Sequence, residues 1–347
     1  MSLPLQLIVF AAAAGATWVA GTVLAKTTDA LDRRLNLGEA LGGVVLLAVA
    51  GSLPEVAITV SACASGHLDL AAGNLIGGIA TQTMVLVVCD LAAPTKPLTF
   101  LVGSLIPVLE GMLVILVVSG VLLGALLPQS VAIEGVLSPA SVAIVVAWIA
   151  GIGVINWVRK GPRWQVVMRG ARPGRPHRRM KHPEVPPPHA DSSTRRVALL
   201  FGLACAVTLG AGVALEVTGN GLANRAGING VVFGATVLAV ATALPEISSG
   251  FEAVRLGDHQ LAVGDIFGGN AFQVCLFFLA DLIAAKPVLP QAGRLNSWLA
   301  ALGVALTTIY VTGVVVRAER PARLGPDSIL AIVVFAVGIL GLIRLSH

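Results

Sequence analysis

Residues 46–82 read "LLAVAGSLPEVAITVSACASGHLDLAAGNLIGGIATQ", and residues 237–273 read "VLAVATALPEISSGFEAVRLGDHQLAVGDIFGGNAFQ". Aligned without a gap from Gly43 to Leu91, 19 of 49 positions match their partners 191 residues later. The chain therefore carries an internal duplication, one copy at about 43–91 and the other at about 234–282. Each copy sets a proline beside a carboxylate, Pro54–Glu55 and Pro245–Glu246, within a run otherwise apolar enough for lipid.

The rest of the composition says that lipid is indeed the solvent. With 56 % hydrophobic and 12 % charged residues, the chain has more apolar surface than a soluble domain of 347 residues can bury in one core. Ten apolar runs, each about 20 residues long, have the length a helix needs to cross the hydrocarbon. They lie near 5–25, 39–64, 68–91, 99–123, 138–158, 197–216, 229–254, 260–284, 297–316 and 326–345. A transmembrane β-barrel would show alternating strands of about ten residues instead. The expected fold class is thus an all-α integral membrane protein with ten transmembrane helices. The first run has no basic leader and no cleavage site, so it reads as a retained helix. Cys63, Cys89, Cys205 and Cys275 all fall inside runs, where they serve as small packing residues without a disulfide framework.

Basic residues concentrate on the cytoplasmic side of membrane proteins. Assigning loops alternately places 19 of the 23 Lys and Arg on one side and only Arg225, Lys286, Arg294 and Arg344 on the other. Both termini are then outside, in the cell (inner) membrane, and the basic segment 159–196 is cytoplasmic. That segment, rich in Pro, Arg and His, cannot form a core and reads as a largely disordered linker. It serves as a positive-inside anchor, with anionic lipids as its other partner. Aromatics are almost absent from it, apart from Trp164 at its edge, which argues against nucleic-acid binding. The chain divides into a first half at 1–158, the linker at 159–196 and a second half at 197–347. Five spans per half is an odd number, so the second half lies inverted. Inverted repeats of this kind place a substrate site near the bilayer midplane, where interrupted helices meet.

Pro54 and Pro245 lack an N–H, so the carbonyls of Ala50 and Ala241 lose their helical partners and the helix bends or breaks. Freed carbonyls in hydrocarbon are costly unless they line a cavity or bind something. A lone intramembrane carboxylate is neutralised by a proton, whereas Glu55 and Glu246, facing each other across a pseudo-twofold axis, can share a cation. Two carboxylates with carbonyl and hydroxyl oxygens form a hard site that suits calcium. The plainer alternative is that the glutamates only hydrogen-bond the kinked helices together.

A second duplicated block is "GNLIGG" at 73–78 against "GDIFGG" at 264–269. Its glycines can be notches for close helix packing. Asn74 and Asp265 need polar partners. Gln82 and Gln273 can supply an oxygen ligand or a hydrogen bond to a ligating glutamate, and the sequence does not choose. Glu110, after Pro107, is either a helix contact or part of an ion path. Glu252 and Arg255 share a helical face and suggest an interfacial ion pair. Asp90 and Asp281, at equivalent span ends, are expected in the headgroup region, and Trp148 and Trp157 resemble interfacial anchors.

The two blocks resemble the α-repeats of the calcium/cation antiporter superfamily, the sodium/calcium exchanger family, whose pattern is Gly-Thr-Ser-Leu-Pro-Glu, then Gly-Asn, then Gly-Ser-Asn. The resemblance covers the repeats and the five-plus-five layout. It implies that Glu55 and Glu246 are the central cation ligands, with hydroxyls from Ser52 and Thr242. It further implies backbone carbonyls from Ala48 and Ala239, and the Gly-Asn position at Asn74 and Asp265. The sequence departs from the pattern at Gly51, Ala243, Gly78 and Gly269, which lack the side-chain oxygens usual there, and at Gln82 and Gln273, where asparagine or aspartate is common. The expected function is secondary active transport, calcium being exchanged for protons or sodium by alternating access, with no cofactor beyond these transported inorganic cations. The missing oxygens favour protons over sodium.

Two other classes compete. A channel needs a continuous polar pore, which the two-carboxylate trap does not resemble. An intramembrane enzyme is disfavoured: no His-Glu-x-x-His occurs, "LAVGD" misses a Gly-x-Gly-Asp motif at Ala262, and no Asp-rich pair exists to hold a magnesium diphosphate. The chain is therefore not expected to be an enzyme.

Overall fold

The structure is a computed structural model, which describes residues 1–35, 49–93, 96–161, 193–291, 293–317 and 324–346. Helices account for nearly all of them, with a single isolated β-bridge between Ile133 and Leu137. The helices are α1 (Leu3–Leu35), α2 (Leu53–Ala64), α3 (Leu68–Ala92), α4 (Ile106–Ala125) and α5 (Pro139–Lys160), then α6 (Thr194–Ala226), α7 (Gly230–Thr242), α8 (Leu244–Arg255), α9 (His259–Ala284), α10 (Gly293–Val316) and α11 (Pro326–Leu345).

Eight of these are long and apolar enough to cross a membrane, and α7 with α8 makes a ninth, bent by 45°. The tenth expected span, 39–64, appears as α2 alone, a shorter apolar helix of 12 residues, because 36–48 lie outside the described residues. The protein is thus an all-α, multi-pass membrane protein.

Local chemistry explains the boundaries. Pro54 and Pro245 sit in the first turns of α2 and α8, where a missing N–H costs nothing. Just before them the backbone leaves helical geometry at Ser52 (φ −89°, ψ 12°) and comes to the edge of the right-handed helical region at Ala243 (φ −81°, ψ −1°). Helix breaks thus fall where the duplicated prolines require them. Ser138 caps α5 through Ala140 N, Ser193 caps α6 through Arg196 N and Asp258 caps α9 through Leu261 N. Gly227 ends α6 in the left-handed region at φ 65°, a conformation glycine adopts without strain.

Burial ranks the helices by position. In α3, 78 % of the spanning window is buried and in α9, 61 %, against 28 % for α1 and α6, 22 % for α11 and 17 % for α5. The two helices that follow the Pro-Glu kinks therefore form the centre, and the outer helices present Leu, Ile and Val to the lipid.

The duplication recurs in three dimensions. Asp90, near the end of α3, accepts hydrogen bonds from Leu98 N, Gly325 N (2.9 Å) and Ser328 Oγ (2.7 Å). Asp281, its partner near the end of α9, accepts from Val288 N (2.7 Å), Ser138 N (2.9 Å) and Ser141 Oγ (2.6 Å). Each central helix thus holds its own following loop and the start of the other half's last helix. Both side chains are fully enclosed by protein. A buried carboxylate needs such donors, and the loops fold back to supply them.

Two smaller expectations also change. Arg255 lies over the Phe251 ring at 4.9 Å, and among the described residues it forms no ion pair with Glu252. Trp148 packs on Phe272, with centroids 5.4 Å apart, whereas Trp157 is exposed as an anchor would be. The four cysteines are free, Cys63 and Cys89 being buried.

Candidate functional site

Both prolines place a glutamate in the first turn of a helix, Glu55 in α2 and Glu246 in α8. Glu55 is fully buried. Its Oε1 accepts from Gln82 Nε2 of α3 at 3.1 Å, and its Oε2 has no hydrogen-bond partner. The Oε2 of Glu246 is likewise buried without a partner. Two unpartnered carboxylate oxygens inside a helix bundle are costly, and such atoms call for a cation or a proton.

Glu246 borders a cavity of about 30 Å³, room for an ion and a water. Its wall also includes Ser52, Gln82, Ser249, Asp265 and Gly269, together with Gly21, Leu24 and Ala25 from α1. Asp265 accepts from Ser249 Oγ at 2.9 Å. The Glu246 and Asp265 carboxyl groups share this wall, and that of Glu55 is reached through Gln82. Among the described residues, no three His, Cys, Asp or Glu side chains converge closely enough to cage a metal alone. Any bound cation would need the neutral oxygens as well.

The structure brings Ser52, Gln82, Glu246 and Asp265 to one cavity, with Glu55 joined through Gln82. Thr242 and Ala239 lie on α7 just before the kink, where the Thr242 hydroxyl donates to the Ala239 carbonyl at 3.2 Å. Ala48 lies outside the described residues. Asn74 is fully buried, and neither polar atom of its side chain has a partner.

The two glutamines, equivalent in sequence, do different things. Gln82 donates to Glu55, whereas Gln273 donates to the carbonyls of Asn74 (3.3 Å) and Leu75 (3.0 Å). The glycines of "GNLIGG" also prove to be contacts. A Cβ on Gly73 would strike the Val231 backbone and one on Gly77 would strike Ala235, so α3 lies directly against α7. There α7 widens into a π-helical turn, Gly234–Leu238. Gly268 and Gly269, in contrast, face open space.

Three features were not anticipated from the sequence, and a fourth bears on a choice between two roles. Ser249 lines the cavity three residues after Glu246, a spacing that places both on one helical face and was a usable signal. Asn270 donates to Thr83 Oγ1 at 3.2 Å and ties α9 to α3. Glu216 of α6, fully buried, accepts from Ser61 Oγ at 2.7 Å and meets His67 Nδ1 at 2.7 Å. Finally, Glu110 of α4 pairs with Arg159 of α5 at 2.6 Å, which favours the helix-contact side of its two expected roles.

A family model described as sodium/calcium exchanger protein matches residues 5–155 and 196–344. The putative antiporter CaxA of Alkalimonas amylolytica is 27 % identical over 267 residues, covering 76 % of each chain. The inner membrane protein YrbG of Escherichia coli (strain K12) is also 27 % identical over 267 residues, covering 76 % of this chain and 75 % of its own. Among solved structures, the H+/Ca2+ exchanger CAX aligns with a TM-score of 0.70 at 16 % identity, covering 98 % of this chain and 86 % of that one. The sodium-calcium exchanger NCX_Mj aligns with a TM-score of 0.60 at 16 % identity, covering 98 % and 99 %.

Proposed function

Because the chain belongs to the sodium/calcium exchanger protein family, we propose that it is an antiporter that moves calcium against protons by alternating access. The observation that carries this reading is the pair of unpartnered glutamate oxygens that follow the duplicated Pro-Glu kinks, Glu246 Oε2 beside the cavity and Glu55 Oε2 on a carboxyl group joined to its wall through Gln82. In this reading Glu55 and Glu246 are the central ligands. Ser52, Thr242, Asn74, Asp265 and the carbonyls of Ala48 and Ala239 supply the neutral or secondary oxygens. Gln82 orients Glu55, and Gln273 steadies the backbone at Asn74. A calcium ion prefers six to eight oxygens, which this set meets only with water or carbonyl help.

The counter-ion follows from ligand supply. Gly51, Ala243, Gly78 and Gly269 offer no side-chain oxygen, so several sodium ions would find few places to bind. Protons need none of those oxygens, because the two glutamates can take them up when calcium leaves. Gln82 suits this exchange, since an amide can hydrogen-bond a carboxyl group in either protonation state.

The halves 1–158 and 197–347 would then be the two inverted units, with 159–196 cytoplasmic, its basic charge drawing anionic lipids there, and both termini outside. The test is calcium flux in reconstituted vesicles. A pH gradient without sodium should drive uphill calcium movement, and a sodium gradient at clamped pH should not. Robust sodium-driven flux without a pH response overturns proton coupling. Movement only down the calcium gradient would indicate a channel.

A further inference from the structure

The internal duplication extends beyond the Pro-Glu blocks. Helices α1 (Leu3–Leu35) and α6 (Thr194–Ala226) are offset by the same 191 residues at both ends, and nine of their 33 positions are identical, Gly21 and Gly212 among them. Each of these glycines lies on a kink of the other copy. A Cβ on Gly21 would strike the Pro245 side chain, and one on Gly212 would strike Ala57 and crowd the Pro54 carbonyl. The two halves thus offer equivalent approaches to their glutamates, yet the approaches differ in burial. Ala25, Glu246, Ser249 and Asp265 line the cavity and are half-buried. Their counterparts Glu216, Glu55, Ile58 and Asn74 are all buried. Leu24 lies on the cavity wall, whereas its counterpart Leu215 is packed with Ile58 in an apolar cluster. One approach is open and the other is shut.

In the shut approach a glutamate, Glu216, stands where the open one has Ala25. Its carboxylate accepts from Ser61 Oγ of α2 at 2.7 Å and meets His67 Nδ1, in the turn between α2 and α3, at 2.7 Å. Asn220, one turn further along α6, places Nδ2 3.0 Å from His67 Nε2. Glu216 thus ties α6 to the Pro-Glu helix and to the turn that follows it. The open approach cannot form this tie: Ala25 has no polar side chain, and the counterparts of Ser61 and His67 are Glu252 and Asp258, both exposed. A fixed pin would not need a carboxylate, because ionisable groups within a membrane are expensive and apolar side chains hold helices at least as well. A carboxylate suits a contact that opens, since water entering the approach rehydrates it when its partners leave.

We propose that Glu216, held by Ser61 and His67, latches the approach to Glu55 shut, so that the protein rests with its cavity facing the side of segment 159–196. This rests on the alternating-access reading and on the orientation given with it. When the latch opens, α6 parts from Ser61 and His67, and Leu215 uncovers Ile58. Glu216, Ser61 and His67 are positioning residues, since none of them lines the cavity. Removing the two donors strands Glu216 in the shut form but leaves it hydrated in the open form, so the balance moves toward opening. A proton taken up by the stranded group reduces the size of that shift and not its sign, because a neutral carboxyl group buried without a partner is still worse placed than a hydrated one.

The experiment uses Ile58→Cys and Ser249→Cys, equivalent positions three residues after the two glutamates, each on a cysteine-free background. It measures their rates of reaction with a small impermeant thiol reagent added to either side of oriented vesicles. With the latch intact, Ser249→Cys should react from the side of segment 159–196 and Ile58→Cys very slowly from either side. Ser61→Ala together with His67→Ala should speed Ile58→Cys from the opposite side by about fivefold or more, without speeding Ser249→Cys. Adding Glu216→Ala removes the stranded carboxyl group and should return the Ile58→Cys rate toward its starting value. Asn224→Ala, at an exposed position of the same helix, should change neither rate. Should the double variant fail to fold, His67→Ala alone, at a half-buried position, should still speed Ile58→Cys. Faster reaction of both cysteines marks general loosening, and unchanged rates mark a fixed pin. Either result overturns the latch, as does a further rise on adding Glu216→Ala. Failure of alternating access looks different: Ser249→Cys then reacts equally from both sides before any latch residue is changed.

Discussion

Glu55 and Glu246 are equivalent in the duplicated sequence but not in their surroundings. Glu55 is sealed in and held by Gln82, whereas Glu246 borders the cavity beside Asp265 and Ser249. If they share one cation, neither can be spared. Glu55→Gln and Glu246→Gln should each nearly abolish calcium flux while the purified protein still elutes as a single folded species. Near-normal flux from either variant would sink the shared site. Asp265→Asn is milder, because an amide oxygen can still accept from Ser249 and the change only makes the second copy match Asn74 of the first. Its flux should fall without vanishing. The Pro-Glu pairs were legible because a breaker and a charge recur 191 residues apart in apolar sequence. The divided roles of Gln82 and Gln273 were not, since identical residues in an internal repeat meet different partners once a single arrangement of the helices is fixed. Ser249 and Asn270 were obscured for another reason: serine and asparagine are common near helices, and only the pose selects the ones that matter.

The kinked helices and the central pair depend on contacts that leave no room for side chains. Gly77 of α3 lies against Ala235 in the π-helical turn of α7, so Gly77→Val must push the two helices apart. Overpacking of this kind costs typically about 1–3 kcal/mol. The detergent-solubilised variant should melt several degrees lower, whereas Gly15→Ala, which meets nothing within 4 Å, should not. A comparable melting temperature for both would show that α3 and α7 are not held so closely. The Asp281 staple is a second element-level test. Asp281→Ala would leave the Ser138 and Val288 N–H groups without their acceptor, and the Ser141 hydroxyl with the Ser138 carbonyl alone, a loss of about 1–3 kcal/mol for each buried group left unpaired. It should destabilise more than Asp258→Ala, which removes an exposed helix cap worth about 1 kcal/mol. Equal losses would mean that the buried carboxylate is not a staple. Span ends read from hydropathy are uncertain by a few residues, and a pattern of apolar runs contains nothing about loops that fold back over a carboxylate. That is why the enclosure of Asp90 and Asp281 was not legible in the sequence.

Hydropathy anticipated the all-α membrane fold because apolar length is a whole-segment property that survives local breaks. It could not anticipate how a span is interrupted: a window covering 229–254 averages over the 45° bend between α7 and α8, and one covering 39–64 passes over the break that starts α2 at Leu53. The orientation of the molecule still rests on charge, with 19 of 23 basic residues on one side in the alternating assignment. This has a sharp consequence. In the proposed five-plus-five arrangement, segment 159–196 follows five spans and the C-terminus follows ten, so five crossings separate them. On a cysteine-free background, Arg175→Cys should react with an impermeant thiol reagent only from the cytoplasm, and Ser346→Cys only from outside. Reaction of both from one side would require an even number of crossings in 197–347 and would overturn the five-plus-five arrangement. Where the missing crossing lies before α8, the Pro-Glu helices α2 and α8 would enter the bilayer from the same face. Two like-oriented copies offset along one direction cannot present their first-turn glutamates to a common ion midway across the membrane, so the labelling pattern tests the geometry on which the shared calcium site depends.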